Sequence, residues 1–455
     1  MRYVSTRGAA PELGFADVVL AGLATDGGLY VPASWPTLPA RLSADYAGLA
    51  TDVIMPYVGS DFDRDTIARL CNEAYSTFRH PDVVPIVEIE PGHFLMELFH
   101  GPTLAFKDVA LQLLGRLFDT ILTVRNERVM IVGATSGDTG SAAIDGVRNC
   151  ANVDIVILYP KGRVSDVQRR QMTTVDSPNV HTVAIEGTFD DCQDLVKAMF
   201  NDAAFRARHN LSAVNSINWA RVMAQIVYYV AATEHFGREI DVTVPTGNFG
   251  NVLSGWIARR MGAPLGRLVV ASNENDILTR FFESHSMRAT GVHPTLSPSM
   301  DIQVSSNFER LLFEMNGRDG AMTREQLTRF RDKGTMSIES DQYATWIEPV
   351  FRAGRASDHD TLATIRSVHE STGMQIDPHT AVGVKAAREN LRDGVPMITM
   401  ATAHPAKFPD AVERATGVRP QLPDHLADLF DRPERTVDLP NDLVAVQGFV
   451  ASVAR

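Results

Sequence analysis

Short runs rich in Val and Ile alternate with longer amphipathic stretches along most of the chain, and this alternation constrains the fold more than any other feature. The short runs are bounded by turn residues and predict β-strands, whereas the amphipathic stretches predict helices that join parallel strands. The predicted strands span residues 128–132, 153–159, 180–186, 241–245, 267–271 and 395–400. The sequence therefore predicts an α/β fold.

Capping residues support this pattern. Asp108 and Ser165 are candidate N-caps for the stretches that follow them, and Gly237 is a candidate C-cap for the long apolar stretch before it. The predicted helices span residues 45–58, 65–78, 109–124 and 218–236, with another that begins at Asp166. Prolines interrupt the pattern before residue 90, which predicts a separate N-terminal unit, and the stretch 292–306 predicts an excursion from the main sheet.

Length and charge limit the possible partners. A chain of 455 residues predicts two or three packed units with substantial cores. Its 55 Asp and Glu residues outnumber its 43 Lys and Arg residues, and the formal net charge of −12 opposes binding to nucleic acid or to an anionic membrane. An anionic ligand would need a local concentration of cations and backbone N–H groups.

Cysteine spacing argues against two common stabilising sites. Cys71, Cys150 and Cys192 lie far apart and form no C-x-x-C pair, so neither a disulfide framework nor a thiolate zinc site is expected, and no metal is predicted. The first residues lack the apolar stretch of a secretory signal, and no run of about 18 or more apolar residues occurs. We expect a cytoplasmic protein.

The segment 128–144 has the form strand, glycine-containing turn, helix. Gly133, Gly137 and Gly140 lack a Cβ atom and let the backbone approach a ligand closely, while the start of the helix offers free N–H groups. The spacing matches neither a Walker A loop nor a dinucleotide fingerprint. An ordinary tight turn is an equal alternative, although the hydroxyls of residues 135–141 favour ligand contact.

A second loop of this form, residues 246–251, follows the predicted strand that ends at Pro245. Gly247 and Gly250 permit a concave array of N–H groups at the positive end of a helix, which suits a phosphate. Both loops follow the carboxyl ends of predicted parallel strands, so they should point into one crevice. The alternative is a purely structural turn.

Lys107 follows three apolar residues in the segment FHGPTLAFKD, residues 99–108. Apolar surroundings lower the pKa of a lysine and increase the fraction of free amine that can attack a carbonyl. Taken alone, the lysine could simply be solvated near the start of a helix. Together with a phosphate cradle, it points to an aldehyde cofactor that carries a phosphate, pyridoxal 5'-phosphate.

Seven strings along the chain resemble the threonine synthase family, in that family's order and over nearly the whole length. They are YVSTRG at 3–8, DGGLYVP at 26–32, FHGPTLAFKD at 99–108, ATSGDTGSAA at 134–143, NSINWAR at 215–221, PTGNFGN at 245–251 and TAHPAKFPDAV at 402–412. Related pyridoxal-phosphate enzymes share versions of the loops. The two N-terminal strings and the segment 297–314 resemble the longer bacterial and fungal type of threonine synthase.

The resemblance implies fold type II, similar to the tryptophan synthase β chain, with open, twisted, mostly parallel sheets, helices on both faces and an N-terminal unit. That unit is expected to span residues 1–95, followed by a small α/β domain at 110–225 that carries the SGDTG loop. A large cofactor-binding α/β domain is expected to combine residues 96–109 and 226–455.

The resemblance also implies roles around the cofactor. Lys107 would form the Schiff base with its aldehyde, and Thr402 would face its pyridine nitrogen. Asp138 would lie beside the 3-oxygen of the ring, where an ionised carboxylate would be repelled, so Asp138 should either carry a proton or point elsewhere. The residues implied to hold the cofactor phosphate are Gly247, Asn248, Phe249, Gly250 and Asn251.

The implied substrates are O-phosphohomoserine and water. Ser216 and Asn218 would start a helix with free N–H groups, and Arg221 could offer two donors to the substrate phosphate. His404 is interpreted as a structural loop residue. Further candidates for binding the substrate carboxylate or phosphate are Thr103, Ser136 and Thr139.

The implied reaction eliminates phosphate from Cγ and adds water at Cβ, with Lys107 as base and acid in turn. Two alternatives remain open on the sequence. One is a related lyase such as a threonine dehydratase or a phospholyase, and the other is a non-catalytic binder of a phosphorylated metabolite. We expect only small-molecule ligands, with no nucleic-acid or membrane partner, and a monomer or a small homo-oligomer.

Overall fold

The computed structural model describes residues 1–455 as an alternation of strands and helices. The strands are β1 (Tyr3–Ser5), β2 (Tyr30–Pro32), β3 (Ile86–Glu90), β4 (His93–Glu97), β5 (Val129–Ala134), β6 (Val153–Pro160), β7 (Val180–Glu186), β8 (Leu211–Ser212), β9 (Ile240–Pro245), β10 (Leu265–Ser272), β11 (Ser286–Arg288), β12 (Thr335–Ser337), β13 (Phe351–Arg355), β14 (Met397–Ala401) and β15 (Val437–Pro440). The helices are α1 (Phe15–Ala21), α2 (Tyr46–Val58), α3 (Arg64–Tyr75), α4 (Lys107–Arg125), α5 (Asp138–Val147), α6 (Asp166–Thr173), α7 (Phe189–Asn201), α8 (Ala203–Arg208), α9 (Trp219–Phe236), α10 (Gly250–Arg260), α11 (Ile277–Ser284), α12 (Phe308–Met315), α13 (Gly320–Lys333), α14 (Ser340–Gln342), α15 (Asp358–Thr372), α16 (Pro378–Arg388), α17 (Pro409–Thr416) and α18 (Leu443–Val453).

Two large sheets organise these elements. The six-stranded sheet has the order β13-β10-β9-β14-β4-β3, and every neighbouring pair is parallel except the β3–β4 hairpin. The five-stranded sheet has the order β15-β7-β6-β5-β8 and is entirely parallel. Antiparallel pairs β1–β2 and β11–β12 complete the strands. The predicted α/β class with mostly parallel sheets is confirmed.

Most of the local strand and cap predictions agree with the structure, and one does not. All eight residues of β6 are buried, as expected for a continuous apolar run covered on both faces. Ser165 accepts the Gln168 N–H as the N-cap of α6, and Gly237 ends α9 in the left-handed conformation. The prediction for Asp108 is wrong, because α4 already begins at Lys107 and the Asp108 carboxylate lies inside its first turn, fully buried.

The structure also divides the chain differently from the predicted boundaries. The β3–β4 hairpin, mostly within the predicted N-terminal unit, belongs to the six-stranded sheet. Strand β15 pairs with β7, and α18 packs on α7, so the C-terminal segment joins the five-stranded sheet rather than the large domain. Short edge strands such as these contain too few residues for a sequence pattern to predict their partners, so tertiary contacts decide how they pair.

The excursion and the helix after it tie the N-terminal unit to the rest of the chain. Within α12, Glu309 accepts two hydrogen bonds from the Arg7 guanidinium, at 2.9 and 3.0 Å. The neighbouring Arg310 is fully buried and donates to the carbonyl oxygens of Tyr30 at 3.0 Å and Ile217 at 2.6 Å. One helix therefore holds the N-terminal unit against the segment that leads into α9.

Helices α4 and α5 approach each other closely because glycines lie at their contact. A Cβ atom on Gly115 of α4 would overlap the carbonyl oxygen of Gly146 in α5, and a Cβ atom on Gly146 would lie 2.5 Å from the carbonyl oxygen of Leu111. The first residues of these helices are Lys107 and Asp138. The close approach therefore fixes how the two helices that carry Lys107 and Asp138 pack together.

Replacing Gly115 should test this contact. Alanine usually stabilises a helix interior by up to about 1 kcal/mol relative to glycine, but Gly115→Ala should destabilise the chain by about 2 kcal/mol because backbone would have to move. Gly448→Ala in α18 is the matched control, since no heavy atom lies within 4 Å of its new Cβ. Urea-induced unfolding should shift in opposite directions for the two variants, and equal shifts would contradict the role of Gly115.

Candidate functional site

Lys107 lies at the first position of α4 with its side chain buried. Its Nζ atom is 3.3 Å from Oδ2 of Asp138 and 5.6 Å from the centre of the Phe106 ring. Burial lowers the pKa of Lys107; the nearby cations Lys407 and Arg221 lower it further, and Asp138 opposes them. The amine therefore has more of the nucleophilic, neutral form than a solvated lysine.

Asp138 occupies the first position of α5, inside the predicted glycine-containing loop. Its carboxylate contacts Lys107 at 3.3 Å, Lys407 at 3.1 Å and the Gln168 amide at 2.8 Å. Burial opposes ionisation, yet the two ammonium groups together hold the pKa of Asp138 well below its ordinary value. The sequence left Asp138 either protonated or directed elsewhere, whereas the structure directs its carboxylate at Lys107 and Lys407.

The second predicted loop precedes α10. The amides of Gly247, Asn248 and Phe249 donate to no other backbone group, and Phe249 has a left-handed φ of 62° that turns the chain into the helix. Gly250 and Asn251 then begin α10, where the first N–H groups have no partner within the helix. The loop thus presents free donors at the positive end of a helix, an arrangement that suits a phosphate.

Ser299 connects this loop to Lys107. Its hydroxyl lies 3.4 Å from Oδ2 of Asp138, and a Cβ atom on Gly247 would lie 2.8 Å from its carbonyl oxygen. Asn307 holds the other side, because its amide donates to the carbonyl oxygens of Asn248 and Ser216, both at 3.1 Å. The two loops, Lys107 and the segment before α9 therefore form one site.

Arg221 is the least satisfied cation of the site. Only 3% of the residue is exposed, its Nε and Nη1 atoms have no hydrogen-bond partner, and no carboxylate pairs with it. Burial lowers the pKa of Arg221 to about 10. A buried guanidinium without an acceptor is costly, and it favours an anionic ligand at this position.

The other residues predicted for the substrate differ in how free they are. Asn218 is fully committed to structure, since its carbonyl oxygen caps α9 through the Ala220 N–H and its amide donates to the Val19 carbonyl oxygen. The Thr103 hydroxyl donates to Asp108 at 2.6 Å. The hydroxyls of Ser136, Thr139 and Ser216 have no protein partner and remain candidates.

Two further predicted cofactor contacts are buried at the same site. The Asn251 carbonyl oxygen accepts hydrogen bonds from the hydroxyls of Tyr228 and Tyr229, while its Nδ2 has no partner. Thr402 follows β14, and its carbonyl oxygen accepts the Phe106 N–H at 2.9 Å, which places it against the start of α4. His404 accepts the Ala406 N–H and caps a short turn, consistent with a structural role.

Sequence reasoning missed Lys407, which is 0% exposed and contacts Asp138. It lies within the quoted string TAHPAKFPDAV and, like Lys107, is flanked by apolar residues, so the same argument could have selected it. Sequence reasoning also missed Gln168, His379 and Asp108. Burial raises the pKa of Asp108 to about 7. Glutamine, histidine and aspartate are common on protein surfaces, and only tertiary packing brings Gln168, His379 and Asp108 to this site.

These residues fit a phosphate-bearing aldehyde. The amine of Lys107 has a lowered pKa. The loop at 247–251 offers unpaired backbone N–H groups, and its glycines have no side chain that would keep a ligand away from them. Asn251 carries an unpaired buried amide. Each observation concerns a different part of the same site. No helix combines the length and apolarity needed to cross a bilayer.

Family comparisons agree with this site over most of the chain. Residues 2–75 match the family model described as threonine synthase N terminus, residues 84–326 match pyridoxal-phosphate dependent enzyme, and residues 380–450 match threonine synthase, C-terminal. A threonine synthase of Pseudomonas aeruginosa is 53% identical, over 99% of this chain and 98% of the relative. A threonine synthase of Corynebacterium glutamicum is 44% identical over the same shares.

Solved structures give the same result. A PLP-bound threonine synthase from Brucella melitensis superposes with a TM-score of 0.98 at 51% identity and full coverage of both chains. The yeast threonine synthase gives a TM-score of 0.93 at 38% identity, covering 99% of this chain and 98% of its own. A threonine deaminase from Solanum lycopersicum shares only the fold, with a TM-score of 0.51 at 10% identity over 85% of this chain and 98% of its own. A buried lysine beside a phosphate-type loop, on a fold matched from end to end, makes this chain a member of the threonine synthase family of fold type II pyridoxal-phosphate enzymes.

Proposed function

We propose that the chain converts O-phosphohomoserine and water to L-threonine and inorganic phosphate with pyridoxal 5'-phosphate as cofactor. Family membership supports the activity, and one observation of this chain carries it. The unpaired, buried guanidinium of Arg221 lies in the first turn of α9, next to the segment that Asn307 ties to the loop before α10. A site for an anionic group therefore adjoins an amine that can exchange protons.

Pyridoxal phosphate, when bound, supplies an electron sink for the carbon from which a proton is removed. Residues 247–251 would hold its phosphate through backbone N–H groups, Lys107 would hold its aldehyde carbon and Thr402 would lie beside its ring nitrogen. The amine of Lys107, once neutral, removes the proton from Cα of the substrate and moves a proton at Cβ, acting as base and then as acid. Its lowered pKa suits it to both tasks.

The substrate phosphate is assigned to Arg221 and to the N–H groups at the start of α9, with the Ser216 hydroxyl beside them. Arg221 lies in the first turn of that helix, where the helix dipole also favours an anion. The guanidinium would orient the phosphate, and the phosphate would replace the missing acceptor of the guanidinium. Ser136 and Thr139 are assigned to the substrate carboxylate.

The chain acts on a small molecule. We further propose that it works in the cytoplasm, as a monomer or small homo-oligomer and without a nucleic-acid partner. The three cysteines are free, buried thiols, and the net charge of −12 opposes polyanions.

The product of the reaction separates this activity from a related lyase. Incubation of the purified chain with O-phosphohomoserine and pyridoxal phosphate should release threonine and phosphate in equal amounts. The products are measured by chromatography and a phosphate assay. Predominant formation of 2-oxobutyrate would reject the synthase activity, and the absence of any product would favour a binding protein.

Lys107→Ala should lower kcat by at least ~10³-fold, because it removes the group that accepts and returns the proton. It should also abolish the visible absorbance that the bound cofactor gains by linkage to Lys107. The control is Lys161→Ala, which removes a half-exposed lysine paired with Asp438 at the surface. Retention of either the absorbance or the turnover in Lys107→Ala would contradict the assignment.

Arg221→Met should raise KM for O-phosphohomoserine about 10- to 100-fold, the usual contribution of charge-assisted hydrogen bonds. It should leave the thermal midpoint unchanged or raise it, because the guanidinium has no hydrogen bond to lose in the folded chain. Steady-state kinetics and thermal unfolding measure the two effects. An unchanged KM, or a large loss of stability, would show that Arg221 has a structural role instead.

A further inference from the structure

Two lysines share the single buried carboxylate of the site. Asp138 contacts Lys107 through Oδ2 at 3.3 Å and Lys407 through Oδ1 at 3.1 Å. The two amines come from distant parts of the chain, Lys107 from the start of α4 and Lys407 from the turn after β14. Their chemistry differs, because only Lys107 is assigned a reacting role.

The Lys407 side chain is held by more hydrogen bonds than the Lys107 side chain. None of Lys407 is exposed, and its ammonium also donates to the Thr103 carbonyl oxygen at 2.6 Å and to Gln171 Oε1 at 2.9 Å. Its Nζ atom also forms an ion pair with Oδ1 of Asp138 at 3.1 Å. Lys107 has Asp138 as its one hydrogen-bond partner. Several oxygen atoms therefore fix Lys407 in place, whereas Lys107 has a single partner and is free to exchange its proton and move.

The reaction assigned to this site requires Lys107 to be neutral during part of each cycle. At that stage a buried Asp138 without another cation would be an uncompensated charge, which is strongly unfavourable and is relieved by taking up a proton. The easiest source of that proton is the amine beside it. Without a second cation, Lys107 and Asp138 would hold their shared proton too tightly for Lys107 to act as a base.

Other groups around Asp138 do not supply this charge. His379 faces the site from α16, but its Nε2 accepts the Ser299 N–H and its Nδ1 contacts Asp377, so neither ring nitrogen donates to Asp138. Gln168 from α6 and Ser299 are uncharged. Arg221 makes no hydrogen bond to Asp138 or to any other group. Lys407 is the remaining cation in contact with the carboxylate.

We propose that Lys407 is a positioning residue that keeps Asp138 ionised and in place while Lys107 is neutral. This inference rests on the proposed function, since it assumes that Lys107 reacts. It also explains how an aspartate can occupy a place beside a cofactor oxygen that bears negative charge. The carboxylate and Lys407 form a pair of no net charge, so the repulsion expected for a lone carboxylate is reduced.

The test compares Lys407→Met with Asp138→Asn, the double variant and the wild-type chain, all loaded with pyridoxal phosphate. The first readout is the pH midpoint at which the visible absorbance of the bound cofactor changes, which requires no substrate. Loss of the Lys407 charge should raise this midpoint by about one to two pH units, because the nitrogen of Lys107 then keeps its proton longer. Asp138→Asn should lower the midpoint, and the double variant should lie near wild type.

The second readout is the pH profile of kcat with O-phosphohomoserine. Lys407→Met should lower kcat about 10- to 100-fold at neutral pH and recover part of it at higher pH, where Lys107 loses its proton. KM should change little, since Lys407 is not assigned to the substrate. Lys161→Met is the matched control for loss of one lysine charge, and its midpoint and kcat should match wild type.

Each outcome decides the inference. An unchanged absorbance midpoint in a folded Lys407→Met variant overturns the inference. The inference is also overturned if Lys407→Met lowers kcat by the same factor in the wild-type chain and in the Asp138→Asn variant. If Lys407→Met fails to fold, recovery of folding in the double variant supports charge compensation, whereas failure of both shows a packing role and overturns it. If wild type forms no threonine, the proposed function fails, and the absorbance midpoint still tests Lys407.

Discussion

The structure depends on one constraint, the burial of charged side chains at the site formed by the loops before α5 and α10. Moving an ion out of water costs several kcal/mol unless partners replace the lost hydration. Asp138 obtains such partners from Lys107, Lys407 and Gln168, whereas Arg221 is buried with none. The first arrangement stabilises a charged network, and the second favours an anionic ligand. Such a local, preorganised set of donors would let an acidic chain bind phosphates.

The packing of helices and loops around the site holds these charged side chains in position. Helices α4 and α5 carry Lys107 and Asp138 at their starts, and Gly115 and Gly146 let the two helix backbones meet. The loops before α5 and α10 follow β5 and β9, at the carboxyl ends of parallel strands, where α/β folds place their ligands. The excursion and α12 then link the N-terminal unit, the α10 loop and the segment before α9. The excursion and α12 thus support the site.

Much of the fold followed from local signals. Strand β6 is a mostly apolar, fully buried run, and Ser165 and Gly237 act as caps within a few residues of their partners, so each could be predicted without the rest of the chain. The errors lie where distant contacts decide. Strand β15 pairs with β7 across some 250 residues of sequence, and Asp108 enters its helix because Thr103 binds the carboxylate. Propensity gives no information about either.

The sequence by itself determined the fold class and selected the loop at 246–251 and Lys107 as candidates, because glycine spacing, apolar periodicity and the residues beside Lys107 are local properties. Tertiary structure alone decided which polar groups are free to act. It committed the Asn218 side chain to a cap, left Arg221 unpaired and placed Lys407 on Asp138. Lys407 finds its other acceptors 304 and 236 positions away. Hydrogen-bond partners at that separation, and the desolvation they offset, are set by packing.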